Sequence, residues 1–271
     1  MRWLRRPRSD RRPRSERFPA ITAASPVVPG SVWRPLVAEH LDAGRPSGWW
    51  EPVYATAVAQ GRRLPWQEGT AHPWVVGWLE DPVHAPPGSR ALVVGCGVGD
   101  DIVPLLERGY DVTAIDVSET AIAWSQHRVG ARTGREVAAV RWLVADLLEV
   151  SAAEVGSFDL VVEVHTVPWL PGVVRDAAMA AIGGLVAPGG VALAITEVAT
   201  SDAARGALEG PPWAQAPREL TAYRAGGLVR LAVEHPSPGD GPTLEVRMTW
   251  QRPRGAPDGA SLDEGLPLLG Q

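Results

Sequence analysis

The stretch ALVVGCGVGDDIVPLLERGYDVTAIDVSETAI, residues 91–122, decides the fold. Residues 91–94 form a short apolar run that Gly95, Gly97 and Gly99 break, after which Ile102, Leu105 and Leu106 recur at helical spacing. Gly109 ends that helix, and residues 112–115 open a second strand closed by Asp116. A strand that turns sharply into a helix needs backbone angles and ligand distances that a side chain obstructs, so glycine is the residue for the turn. This is the first half of a nucleotide-type binding site.

The dinucleotide fingerprint is G-x-G-x-x-G with an acid further on, whereas here the third glycine comes one position early and Asp100 stands in its place. A pyrophosphate would meet Asp100 and Asp101 at the helix start, where the field that favours anions is already taken by protein carboxylates. The G-x-G-x-G turn followed by an acid after the second strand resembles the class I S-adenosylmethionine-dependent methyltransferases, whose cofactor is a phosphate-free sulfonium. That resemblance implies a cofactor held by Gly95, Cys96, Gly97, Gly99, Asp101, Asp116 and Val117, with Asp116 accepting the two ribose hydroxyls. Downstream, residues 140–144 are an apolar run ending in Ala145-Asp146-Leu147, where the family places a polar side chain near the adenine amino group. Asp146 has a second reading, a turn-forming acid that closes its strand. Residues 158–165 read as a strand buried on both faces, and Leu185-Val186-Ala187-Pro188-Gly189-Gly190 matches the family's L-x-P-G-G signature before a fifth strand at 191–195.

The pattern GCGVGDD, then Leu105, Gly109, Val112, Asp116, Ser118, Ala121 and Ile122, is similar to the small thiopurine and tellurite-resistance methyltransferase group. Leu64-Pro65-Trp66-Gln67-Glu68-Gly69 resembles that group's segment before the first strand, and Gly210-Pro211-Pro212-Trp213 its segment after the fifth. The resemblance covers roughly residues 49–250 and implies Trp66 at the cofactor and Trp213 at the acceptor. It departs from the group in an arginine-rich front and a proline-rich end.

Strand–helix alternation predicts a parallel sheet, and two last strands near 228–234 and 244–250 are too closely connected for a crossover and must be antiparallel. Helices are expected at about 32–41, 49–59, 74–79 and 219–225. The expected fold is therefore α/β and Rossmann-like: a mostly parallel seven-stranded sheet with an antiparallel C-terminal hairpin and helices on both faces. The expected organisation is an Arg/Pro-rich disordered tail at 1–30, a class I methyltransferase domain at 31–252 whose lid helices occupy 31–85, and a disordered tail at 253–271.

Residues 1–17 hold eight arginines against Asp10 and Glu16, so this front carries +6 while the rest carries −11, giving −5 in all. It is too charged and proline-broken to fold alone; the readings are a disordered tail, a start assigned too far upstream, or an arm for an anionic surface. It has no apolar centre for a signal peptide, and no run of 18 apolar residues occurs, so a cytoplasmic, bacterial protein without a membrane span is expected. All 26 basic residues are arginine, a skew that fits a GC-rich genome and excludes lysine Schiff-base chemistry. The one cysteine, Cys96, reads as a small buried residue, and the six histidines form no zinc-type spacing, so no metal is expected.

A sulfonium carries an activated methyl group, so the protein's task is to align a nucleophile and exclude water. His165, just past the fourth strand, is the candidate catalytic and acceptor-contacting residue, either as a base or as a strand-end histidine without chemistry. Glu163 is expected at the cofactor edge. Trp66 is expected on a lid helix, where an aromatic face attracts a cation. The acceptor is expected to be a small molecule of the thiol or other soft-nucleophile class; an O- or N-methyltransferase of a secondary metabolite and a non-catalytic binding protein are the alternatives. The acidic folded part argues against nucleic acid, and a monomer is compatible with the sequence.

Overall fold

Apolar runs bounded by glycine and proline become strands, and the segments with helical spacing become the helices between them. The computed structural model describes residues 18–19, 21–81, 84, 88–133, 139–207, 210–235 and 241–255. Its strands are β1 (Arg90–Val94), β2 (Asp111–Asp116), β3 (Val140–Val144), β4 (Phe158–Val164), β5 (Val186–Ala199), β6 (Val229–Glu234) and β7 (Thr243–Gln251). They form one seven-stranded sheet in the order β3-β2-β1-β4-β5-β7-β6, the expected mixed sheet with its last two strands antiparallel. The helices are α1 (Gly30–Asp42), α2 (Trp50–Gln60), α3 (Pro73–Glu80), α4 (Ile102–Glu107), α5 (Glu119–Thr133), α6 (Ala152–Val155), α7 (Gly172–Leu185) and α8 (Asp202–Ala207). No helix among the described residues is long and apolar enough to cross a membrane.

The chain divides into two compact units, one from Met1–Gly88 and Gly95–Glu149, the other from Ser89–Val94 and Val150–Gln271. In the first, β2 and β3 pair in parallel, and Trp49, Val53, Leu64, Ile102, Leu105, Ile122 and Trp124 are buried in its interior. Local chemistry sets the helix ends: Gly61 takes the left-handed angle that stops α2, and Pro73 opens α3 behind His72, whose Nδ1 accepts the Trp74 N–H. The disordered tail expected over 1–30 is too long. Val28 is buried and donates its N–H to Arg63, Arg63 donates back to Pro26, and Phe18 stacks on Trp124 and His127. Residues 1–17 and 256–271, on which the rest of the tail reading falls, lie outside the described residues.

In the second unit β1 pairs β4 and β4 pairs β5 in parallel, while β7 runs antiparallel to both β5 and β6. The turn expected at Pro188-Gly189-Gly190 lies within β5, where the pairing with β4 slips between Phe158 and Leu160. Gly189 has φ of 83°, and a Cβ on Gly190 would lie 2.8 Å from the Phe158 carbonyl, so the signature glycines serve a bulge here. The expected helix at 219–225 is a 3-10 segment, Pro217–Gly226. It follows the stretch 210–216, whose Gly210–Pro211 and Pro211–Pro212 peptide bonds are cis.

Arg175 on α7 fastens that stretch. Its side chain is 2% exposed, and it donates to the Leu170 carbonyl at 2.9 Å, the Trp213 carbonyl at 2.7 Å and the Glu219 carboxylate at 3.3 Å. Glu219 keeps Arg205 and the Ala216 N–H if Arg175 is lost, so the cost is that of orphaned carbonyls more than of a stranded charge. Arg175→Met is expected to lower the unfolding free energy by about 2–3 kcal/mol. Urea denaturation checks this, and an unchanged midpoint would overturn it.

Candidate functional site

The glycine turn lies in the first unit, and its three glycines answer three separate demands. Gly95, Gly97 and Gly99 have φ of 58°, 53° and 83°, the left-handed region that side chains disfavour. A Cβ on Gly97 would come 3.0 Å from the Tyr54 hydroxyl, so glycine there lets Tyr54 of α2 approach the turn closely. A Cβ on Gly99 would stand 2.1 Å from the Ser125 Oγ, so that glycine is needed for packing on α5 whether or not a ligand binds.

Asp116 ends β2 and is 7% exposed. One carboxylate oxygen accepts the Gly97 N–H at 2.9 Å and the other the Ser118 N–H at 2.9 Å. Each oxygen retains acceptor capacity. Burial pushes this carboxyl up to about 6 against the pull of those N–H groups, with the Glu51 charge adding to the rise. Cys96 is buried, and burial and the Asp116 charge raise its thiol well above the ordinary range, so it is inert rather than nucleophilic.

Glu51 and Tyr54, which the sequence did not single out, bring α2 to this turn. Glu51 accepts from the Ser118 Oγ at 2.6 Å, the Thr120 Oγ1 at 2.6 Å and the Thr120 N–H at 3.0 Å, and so caps α5 from another helix. Tyr54 accepts the Trp66 Nε1–H at 3.1 Å, and its own phenol proton has no acceptor among the described residues. Burial, then the Asp116 charge, hold that phenol protonated. Trp66 is half-buried and sits edge-on to Trp50 at 5.3 Å and Trp49 at 6.4 Å. It lies in the connection between α2 and α3 and not on a helix, a correction to the expected lid helix. The carboxylates of Asp100 and Asp101 hold that same connection: Asp100 accepts the Gly69 N–H and pairs with Arg128 at 2.8 Å and Arg132 at 3.0 Å, while Asp101 accepts the His72 N–H at 2.8 Å. The arginines offset the charge of Asp100, so the electrostatic case against a phosphate there is weaker than the sequence suggested.

Val117 is partly exposed beside Asp116, and Leu147 is buried past the end of β3. Asp146 accepts the Leu148 N–H at 2.9 Å, a contact that closes the turn after β3.

The other expected residues lie in the second unit. Glu163 is fully buried, and its carboxylate is taken by the Thr166 N–H at 2.6 Å, the Val167 N–H at 3.0 Å and the Tyr223 hydroxyl at 3.2 Å. It shapes the turn after β4, a role that sequence position alone does not reveal. The Thr166 hydroxyl donates to the Val94 carbonyl at 3.1 Å, at the end of β1. His165 has φ of 53°, donates its N–H to Ile195, and places Nε2 3.0 Å from Glu245 Oε1 on β7. Burial disfavours its charged form, but the bond to Glu245 and the charges of Glu163, Glu245 and Glu197 outweigh it and raise its pKa above 6.5. Trp213 donates its N–H to Pro168 at 2.8 Å, just beyond His165, and its ring lies where a Gly210 side chain would be, which explains glycine there.

Residues 92–192 match the family model described as Methyltransferase domain. Over 94 residues the chain is 35% identical to Thiocyanate methyltransferase 1 of Arabidopsis thaliana, covering 35% of this chain and 38% of that protein. The chain thus spans little more than a third of the length of the curated relatives it matches. One similar solved structure is described as "Conversion of a Disulfide Bond into a Thioacetal Group during Echinomycin Biosynthesis", with TM-score 0.61 and 22% identity over 78% of this chain and 93% of the other. Another is magnesium protoporphyrin IX methyltransferase (ChlM) from Synechocystis PCC 6803 with bound SAM, with TM-score 0.52 and 17% identity over 66% and 76% of the two chains.

The burial of Asp116 has a signature in stability. Unfolded, its carboxyl titrates near 3.9. Between there and its folded value of about 6, the folded chain holds a proton that the unfolded chain has lost, so stability falls as pH rises through that window. The total is about 3 kcal/mol for a shift of this size. Asp116→Asn removes the contribution, and denaturation series between pH 4 and 6.5 are expected to show a flatter profile for the variant. Parallel profiles would overturn the argument from burial.

Proposed function

We propose that this chain, whose core is that of the class I S-adenosylmethionine-dependent methyltransferases, transfers the methyl group of S-adenosylmethionine to a small-molecule thiol. The observation that carries the reading is the buried Asp116 carboxylate beside the glycine turn. It keeps acceptor capacity on both oxygens, beside the bare backbone of Gly97. These residues fit a ribose-bearing cofactor: the diol donates to Asp116, the glycine backbone admits the chain beside it, and the phenol proton of Tyr54 is available to a polar group of the ligand. Bound S-adenosylmethionine supplies an electrophilic methyl on a sulfonium sulfur, so no metal or triad is needed. Trp66 and its aromatic neighbours contribute faces suited to a cation and exclude water.

His165 is the proposed proton acceptor. It stands at the carboxyl end of β4, the edge at which open α/β sheets bind ligands, and the turn it begins is bonded to Val94. Trp213, bonded to the same turn, is proposed as an acceptor contact. The thiol acceptor is supported by the name of another relative, Probable thiol methyltransferase 2 of Arabidopsis thaliana, 33% identical over 76 residues. Thiocyanate itself is the natural competing acceptor. An O- or N-methyl acceptor is the alternative, and it depends more heavily on His165 because a hydroxyl is a weaker acid than a thiol.

Calorimetry with S-adenosylmethionine is the first test. Asp116→Ala is expected to weaken binding about 10- to 100-fold, the scale of losing hydrogen bonds to a charged group. Wild-type affinity is expected to fall as pH drops below about 6, where the carboxyl takes up a proton and loses acceptor capacity. Unchanged affinity in a variant that still folds would place the ribose elsewhere.

A further inference from the structure

We infer that Glu51 is a specificity residue of the cofactor site: with Asp116 it makes the glycine turn favour a cofactor whose sulfur is a sulfonium over the same molecule after its methyl group has left. The inference rests on the methyl-transfer reading above and deepens it, by assigning a residue that tells fresh cofactor from spent.

The first observation is that two carboxylates share one serine. Asp116, at the end of β2, accepts the Ser118 N–H at 2.9 Å, and Glu51, on α2, accepts the Ser118 hydroxyl at 2.6 Å. Ser118 is fully buried, so little water screens one acid from the other. Their charges do act on each other, since Glu51 adds to the rise of the Asp116 carboxyl.

The second observation is what surrounds the pair. Among the described residues the partners of these two carboxylates are N–H and O–H groups, from Gly97 and Ser118 for Asp116 and from Ser118 and Thr120 for Glu51, and not cations. Arg128 and Arg132 turn to Asp100 instead, and these two arginines carry as much charge as Asp100 and Asp101 together. The other titratable groups coupled to Asp116 are Tyr54 on α2 and Cys96 in the turn, both held neutral by burial and by the Asp116 charge. From β3 the apolar Val144 lies opposite Asp116. The start of α5, which Glu51 caps, offsets about half a charge. The sum is still negative, and like charges left side by side are relieved when a cation arrives.

Fresh and spent cofactor differ in this one respect. The sulfonium sulfur is positive and is joined through one carbon to the ribose whose diol donates to Asp116. Loss of the methyl leaves the bonding electron pair on sulfur and cancels the charge. The ribose, base and amino-acid parts are common to both molecules, so their contacts cancel in the comparison. Overall affinity remains with Asp116, and the charge of Glu51 widens the difference between the two forms.

The experiment measures Kd for S-adenosylmethionine and for S-adenosylhomocysteine by calorimetry at pH 8, with the full chain and with Glu51→Gln. Glutamine keeps the bonds to α5: its carboxamide oxygen takes the Ser118 hydroxyl and the Thr120 N–H, and its NH2 group donates to the Thr120 hydroxyl, which turns to accept. Only the charge is removed. The ratio of the S-adenosylhomocysteine Kd to the S-adenosylmethionine Kd is expected to be about 3- to 10-fold smaller in the variant, through weaker binding of the sulfonium, with S-adenosylhomocysteine affinity within about twofold of wild type. In the wild type the same ratio is expected to fall a few-fold between pH 8 and pH 5, as Asp116 takes up a proton. That comparison needs no substitution, and it decides the matter if Glu51→Gln does not fold. A variant that leaves the ratio unchanged, or weakens both ligands alike, shows Glu51 to be a helix cap only and overturns the inference while methyl transfer stands. Binding of neither ligand by the wild type overturns it and shows that the methyl-transfer reading has fallen as well.

Discussion

Two backbone N–H groups converge on one buried carboxylate, that of Asp116, and the first unit is organised around that convergence. Gly97 donates from the turn after β1 and Ser118 from the start of α5, so a strand end, a glycine loop and a helix N-terminus share one anchor. The anchor is made in a setting that disfavours its charge, since burial lifts the carboxyl to about 6. A polar group kept at such a cost and not fully satisfied by the protein is better explained by a ligand than by stability, because an apolar residue of similar size would close the same space more cheaply. The proposed ribose contact gives the carboxylate its remaining partners.

The strand–turn–helix core was legible in the sequence because each of its elements has a local signal. Apolar runs gave β1 to β4 nearly to the residue, and Gly109 and Asp116 marked where a helix and a strand stop. The antiparallel end followed from a connection too short to cross over. What escaped has a non-local cause in every instance. The glycines at 189 and 190 look like a turn, but the register slip against β4 that makes them a bulge is set by another strand. Residues 21–29 fall in the stretch expected as a tail, but Val28 is buried and its N–H is bonded to the Arg63 carbonyl, a pairing that no local pattern encodes.

The candidate site divides in the same way. Gly97 and Asp116 were readable from spacing, whereas Glu51, Tyr54 and Glu245 were not, because each reaches its partner from a distant element. Glu163 is a further case: its strand-end place gives no sign that its carboxylate accepts two N–H groups of the turn after β4 and the Tyr223 hydroxyl. A signal for Glu245 did exist, an acid on a terminal strand where β-propensity prefers a branched or aromatic residue. By itself that signal was too weak to act on.

The three bonds from Glu51 to Ser118 and Thr120 bear on time rather than affinity. They fasten α2, and with it Tyr54 and Trp66, beside the glycine turn. A ligand held at Asp116 beside that turn would then exchange more readily whenever the fastening loosens. Arrival and departure are then slowed together, which leaves the equilibrium where Asp116 sets it. In such an arrangement the pace of ligand exchange at the turn belongs to α2, and its affinity to Asp116.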